Sequence, residues 1–209
     1  MKTCSHEAFV VLTREATVIE QDRHGPKVMV LADGSYLKLF RRKRLLSSAG
    51  WYPYAQRFVD NVHALRARGI PCPEVIDCFR VPAAGRDVVH YRPLPGTTLR
   101  QLITGNQADP GLRQTLGRFI ATLHERGIYF RSIHLGNVVL TAERRLGLID
   151  VADMKTGRRP LSSWRRRRNA KHLLRIKVDR AWILGGDEGA ALSAGYREVA
   201  QRPFPLGSA

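Results

Sequence analysis

Residues 130–153, FRSIHLGNVVLTAERRLGLIDVAD, constrain this chain more than any other stretch. Two short apolar runs, Val138-Val139-Leu140 and Leu146-Gly147-Leu148-Ile149, flank a spacer from Thr141 to Arg145 that is long enough for a hairpin turn. Asn137 closes the loop before the first run, and Asp150 closes the second. Pairing the runs as antiparallel strands brings an amide and a carboxylate to one sheet edge. Both groups offer hard oxygen donors. Magnesium is held in this way, by one or two protein oxygens completed with phosphate and water. The stretch ends in Asp153, a lone acid in a polar tail.

A chain of 209 residues suits one large domain or two small lobes sharing a cleft. A hydrophobic content of 44% supports a sizeable core. No apolar run reaches the ~18 residues that a membrane-spanning helix needs. The start, MKTCSHEAFVVLTREA, has only a four-residue apolar patch and does not read as a secretory signal. Cys4, Cys72 and Cys78 are odd in number and lack metal-ligand spacing, so free thiols in a reducing compartment are expected, and no zinc site.

The net charge is +17, and it is clustered. Arg41-Arg42-Lys43-Arg44 is one block. Residues 155–180 hold Lys155, Arg158, Arg159, Arg165, Arg166, Arg167, Arg168, Lys171, Arg175, Lys177 and Arg180 against a single acid, Asp179. Such an excess is either solvated surface or the footprint of an anionic partner: nucleic acid, acidic headgroups or a phosphorylated polymer. Nucleic acid ranks last, because the segment carries no recognition motif and only Trp164 interleaves the cations.

Along the chain, residues 8–40 suggest a small antiparallel sheet. Its strands would be Phe9-Val10-Val11-Leu12, Ala16-Thr17-Val18-Ile19, Lys27-Val28-Met29-Val30-Leu31 and Tyr36-Leu37-Lys38-Leu39-Phe40, with Asp33-Gly34 as a hairpin turn. Lys38 lies inside an apolar strand and shares a face with Tyr36 and Phe40. Alone it could be an edge-strand charge or a cleft residue reaching phosphate. The first turn holds only Gly25, so no phosphate-cradling glycine loop is expected.

Phe58, Val62 and Leu65 place a helix over 52–69, ended by Gly69. Two strands follow at 75–81 and 87–91. Then Tyr91-Arg92-Pro93-Leu94-Pro95-Gly96-Thr97-Thr98-Leu99 turns into a Thr-capped helix. Leu112, Leu116, Phe119, Ile120 and Leu123 share one face of a helix over 110–127. That helix leads into the 130–153 stretch. Beyond it, Ser162-Ser163 caps a basic helix, and a last helix covers about 189–201.

Aligned on Asn137, the loop Phe130-Arg131-Ser132-Ile133-His134-Leu135-Gly136-Asn137 and the later Asp150-Val151-Ala152 resemble the catalytic centre of protein-kinase-like enzymes. Those enzymes carry an H-x-D-x-x-x-x-N loop, a strand pair and a D-F-G. Asn137 and Asp150 match the metal positions. Ser132 stands where the proton-accepting Asp is expected, and Phe130 replaces the leading His. With that resemblance Lys38 matches the strand lysine of V-A-I-K, and Asp60 is the nearest carboxylate to pair with it. The Pro/Gly turn is similar to the interlobe hinge of small bacterial kinases, in which backbone near His90, Tyr91 and Arg92 would bind adenine.

The short part after Asp150, without an A-P-E element, resembles the bacterial lipopolysaccharide core kinases that phosphorylate heptose or Kdo sugars. The resemblance implies an α+β, protein-kinase-like two-lobe fold: a small antiparallel-sheet N-lobe at 1–92 and a shortened helical C-lobe at 93–209. It also implies ATP and Mg2+ as cofactors, with Lys38 and the hinge on the nucleotide and Asn137 and Asp150 on the metal. Ser132 or His134 would lie near the acceptor hydroxyl. The location implied is cytoplasmic and peripheral at the inner membrane, with residues 155–180 facing an anionic glycolipid. Since serine accepts no proton at neutral pH, the alternative is a pseudokinase that binds nucleotide or a partner and acts as a regulatory scaffold.

Overall fold

The computed structural model describes residues 1–42 and 52–205. Lys43 and Arg44 of the first basic block lie outside the described residues. The chain divides into two compact units, Met1–Ala67 with Cys72–Leu94 and Arg68–Pro71 with Pro95–Ala209.

The first unit is a six-stranded sheet with helices. β1 (Lys2–Thr3), β2 (Thr17–Asp22), β3 (Gly25–Val30), β4 (Tyr36–Arg41), β5 (Glu74–Val81) and β6 (Arg86–Arg92) lie in the order β1-β5-β6-β4-β3-β2. All neighbours are antiparallel except β1 and β5. Met29, Leu37, Phe79, Val81 and Val88 form one buried cluster. Helix α2 (Tyr54–Arg66) buries Ala55, Phe58, Val59, Val62 and Leu65, the stripe that its helical spacing predicts, and packs on β4, β5 and β6.

One expected strand is a helix. Phe9-Val10-Val11-Leu12 lies in α1 (His6–Thr13), whose N-cap Ser5 accepts the Ala8 N–H at 3.1 Å. A four-residue apolar run has no period of its own, so the capping serine just upstream decides the backbone. Phe9 then packs against the sheet cluster.

The second unit is mainly helical. It holds α3 (Leu99–Thr104), α4 (Leu112–Glu125), α5 (Ser163–Leu173), α6 (Lys177–Leu184) and α7 (Ala190–Ala200). Thr98 and Gln101 cap α3 reciprocally. Helix α6 has no counterpart in the sequence-based expectations. The hairpin is present: β9 (Val138–Leu140) pairs antiparallel with β10 (Leu146–Leu148), and β7 (Thr97–Thr98) lines the other side of β9. Gly96 makes that third pairing possible. Its φ is +139°, and a Cβ there would lie 2.3 Å from the Leu140 carbonyl oxygen. A separate ladder joins β8 (Ile128–Phe130) to β11 (Met154–Thr156), with Phe130 opposite Met154. No described helix is long and apolar enough to cross a membrane. All three cysteines are free, and burial pushes the Cys78 thiol up to about 11.

Candidate active site

Helix α4 delivers the chain through β8 into the loop at 131–137. The loop closes in a 3-10 turn at Leu135–Asn137, where the Asn137 N–H donates to the His134 carbonyl at 2.9 Å. The Asn137 Nδ2 donates to the Ser132 carbonyl at 2.9 Å. This bond turns the amide so that its Oδ1 is the end left for another partner. Across the hairpin the Ile149 N–H donates to the Asn137 carbonyl at 3.1 Å, which sets Asp150 beside Asn137 in the chain's path. Asp150 is exposed and adopts φ +54°, ψ +48°. Asp and Asn tolerate this left-handed region better than other side chains, at a cost of about 1 kcal/mol. Such a conformation persists where the surroundings over-determine it, as they often do at ligand sites.

Two buried polar anchors hold the loop. The first is Asp179, 1% exposed, which takes a bidentate pair from Arg100 at 3.0 and 2.7 Å and also accepts the Leu135 N–H at 2.8 Å. The second is a chain of hydrogen bonds ending on the Phe130 carbonyl. Arg166 Nη1 donates to the Tyr196 hydroxyl at 3.0 Å, and that hydroxyl lies 2.8 Å from His124 Nδ1. His124 Nε2 lies 2.9 Å from Asn169 Oδ1, and Asn169 Nδ2 donates to Phe130 O at 2.6 Å. Because Asn169 Oδ1 only accepts, His124 carries its proton on Nε2 and accepts from Tyr196 at Nδ1. Burial, with the Arg166 charge adding to it and the Asn169 bond opposing, pulls His124 down to about 4.

Asn137, Ser132, His134 and Asp150 thus lie together on one loop and hairpin of the second unit. His134 Nδ1 sits 3.4 Å from Arg100 Nη2. Burial and that cation hold its ring below the ordinary histidine range, so the nitrogen facing Arg100 serves as an acceptor. Ser132, partly exposed, donates its hydroxyl to Asp153 Oδ2 at 2.5 Å. The other Asp153 oxygen, Oδ1, is buried and has no hydrogen-bond partner among the described residues.

Lys38, His90, Tyr91 and Arg92 sit in the first unit. Lys38 is half-buried on β4, opposite Val28 and Val89, with its ammonium 6.0 Å from the Phe40 ring centre. His90 Nε2 meets Ser35 Oγ at 2.7 Å, and Ser35 donates to Asp33. Burial lowers the His90 proton affinity. The Tyr91 ring packs on Tyr36 and Phe58. Arg92 reaches Glu74 at 3.4 Å, and the β4 ladder stops one residue earlier, at Tyr91. Asp60 accepts from the Tyr52 hydroxyl at 2.5 Å and from Gln56 at 3.0 Å. Tyr52 is pushed up to about 12 by burial and by that carboxylate.

The donor set on the hairpin fits magnesium. Asn137 and Asp150 carry an amide oxygen and a carboxylate, hard donors of the kind that ion takes. The metal's remaining positions would fall to phosphate and water.

The Asp153 contact and the Arg100–Asp179 pair are absent from the sequence-based expectations. Asp153 is the lone acid of the polar tail, three residues past Asp150. The β8–β11 ladder folds it back onto the loop. Asp179 had one signal, as the single acid in a basic segment.

Residues 15–128 match the model of APH, the Phosphotransferase enzyme family. The match spans Lys38 and residues 90–99 and ends on the first residue of β8. A structure described as the bifunctional kinase-methyltransferase WbdD aligns with 89% of this chain at 15% identity and a TM-score of 0.47. The alignment covers 46% of that longer chain. No curated protein matches.

Proposed function

The chain belongs to the phosphotransferase enzyme family, whose model spans more than half of it, and has the kinase-like fold; from that premise we propose that it is an ATP- and magnesium-dependent phosphotransferase of the lipopolysaccharide-core, sugar-kinase type. The observation that supports this reading is the hairpin, whose Ile149-to-Asn137 hydrogen bond brings the backbone just before Asp150 to Asn137. In it Asn137 and Asp150 hold magnesium, which would neutralise charge on the transferring phosphoryl group. Lys38 and backbone near His90, Tyr91 and Arg92 take the nucleotide. Ser132 and His134 lie nearest the acceptor.

The acceptor we propose is an anionic glycolipid at the inner-membrane surface. Support comes from residues 155–180. Their single acid, Asp179, is turned inward, and Arg166 is buried against Glu125, but the other cations are exposed. Trp164 stands 60% exposed among them, with Arg168 over its ring. A tryptophan within an uncompensated cationic surface suits a headgroup interface.

The test is a thermal shift with Mg-ATP on the wild type and on Asp150→Ala, followed by phosphate transfer to purified lipopolysaccharide core oligosaccharide. A metal-dependent shift that Asp150→Ala abolishes, with transfer to the oligosaccharide, is expected. Absence of the shift in the wild type would overturn the nucleotide reading. A pseudokinase is favoured by one observation, the serine at position 132, and would give the shift with no turnover.

A further inference from the structure

In the proposed site the position that should accept the proton is Ser132, whose hydroxyl has no such capacity by itself. The hydroxyl is not by itself. It donates to Asp153 Oδ2 at 2.5 Å, the short end of the range expected for a hydroxyl on a carboxylate. Asp153 reaches it because β11 pairs with β8, placing residue 153 next to the start of the loop although 21 positions separate the two in sequence.

The second observation is the orphaned Oδ1. A buried carboxylate oxygen without a partner forfeits the hydrogen bonds it would keep in water. An acid kept only to brace a loop would be satisfied at both oxygens, as Asp179 is by Arg100 and the Leu135 N–H. Asp153 spends one oxygen on Ser132 and has none of the cation pairs that the described salt bridges give to Asp179 and Asp87. Its carboxylate is therefore held against the hydroxyl of Ser132, the residue at the expected proton-accepting position. His134 is poorly suited to the same task, since its Nδ1 lies against the Arg100 guanidinium.

We infer that Asp153 supplies, through Ser132, the carboxylate that the loop itself lacks. This rests on the phosphotransferase reading above. As the acceptor oxygen forms its bond to the γ-phosphorus, its O–H bond breaks and the proton passes to Ser132 Oγ. Ser132 gives its own hydrogen to Asp153 Oδ2. The bond from phosphorus to the β–γ bridging oxygen breaks, and its electron pair leaves with the nucleoside diphosphate. Asp153 later returns the proton to water. Ser132 touches the acceptor, and Asp153 is a positioning residue that acts through it.

The experiment uses the full chain and four proteins: wild type, Asp153→Asn, Ser132→Ala, and the double variant Ser132→Asp/Asp153→Asn. Each is assayed for Mg-ATP thermal shift, then for turnover with water and with purified core oligosaccharide as acceptors. We expect Asp153→Asn and Ser132→Ala each to lower kcat by about 10²-fold or more, the usual worth of a positioned proton acceptor, with the KM for ATP changed by no more than about twofold. The double variant moves the carboxylate onto the loop and should recover at least about tenfold of the loss. A brace that merely supports the loop would not be restored this way. Turnover of Asp153→Asn within about threefold of wild type, or no recovery in a double variant that still binds Mg-ATP, overturns the inference. So does a wild type that binds Mg-ATP but turns over neither acceptor. If Asp153→Asn fails to fold, Ser132→Ala carries the same comparison. A wild type with no metal-dependent shift fails at the binding step, which marks it as a failure of the nucleotide reading.

Discussion

Lowering the pH should destabilise the second unit through His124. The ring is fully buried, and its two nitrogens are committed in opposite senses: Nδ1 accepts from Tyr196 and Nε2 donates to Asn169. Protonation would aim an N–H at the Tyr196 hydroxyl, which already accepts from Arg166. The tyrosine hydrogen would then lose its acceptor. The folded chain binds this proton only near pH 4, whereas an unfolded histidine binds it near 6.5. Between those values the unfolded state holds more protons, so stability rises with pH. The contribution is complete above the unfolded value and is lost as pH falls from there toward about 4. The gap between the two values corresponds to about 3 kcal/mol, of which about 2 is gone by about pH 5. Urea unfolding of wild type and His124→Gln at about pH 7 and about pH 5 measures it, because glutamine can accept from Tyr196 and donate to Asn169 without titrating. The wild type should lose about 2 kcal/mol more than the variant over that span. Equal losses would refute the tautomer and the hydrogen-bond chain together.

Three further outcomes are expected. Gly117→Ala and Gly195→Ala should each destabilise the chain by about 1–3 kcal/mol in thermal unfolding, since a Cβ would lie 2.0 Å from the Leu192 oxygen and 1.9 Å from the Gln114 oxygen, where α4 and α7 touch. The double variant should cost less than the sum, because either methyl alone parts the helices. Asp179→Ala should cost about 3 kcal/mol, near the low end for a broken buried pair because the Arg100 side chain keeps 34% of its surface in water. Arg165→Glu with Lys171→Glu should weaken binding to vesicles of mixed anionic and neutral phospholipid by about 2 kcal/mol or more at moderate salt, read by sedimentation.

What could be read from the residues was whatever repeats locally. Leu112, Leu116, Phe119, Ile120 and Leu123 announce α4 by their spacing, and all five are buried. The runs at 138–140 and 146–148 announce the hairpin, and its register puts Ile149, the residue before Asp150, across from Asn137. Phe9 to Leu12 was ambiguous because four apolar residues satisfy either period, and one serine at position 5 settled it. The polar partners were illegible for a different reason. Ser132 and Asp153 meet through a three-residue ladder that leaves no period, and Arg100 and Asp179 meet across 79 positions.

Asp179 shows how far such a hidden contact reaches. Counted in sequence, it offsets one positive charge in residues 155–180. Folded, it serves Arg100 and the Leu135 amide. The basic segment then has no carboxylate of its own at the surface, while the loop gains a fixed turn two residues before Asn137. One buried acid thus touches two features: it pairs with Arg100 rather than with a cation of its own segment, and it holds the turn that precedes Asn137.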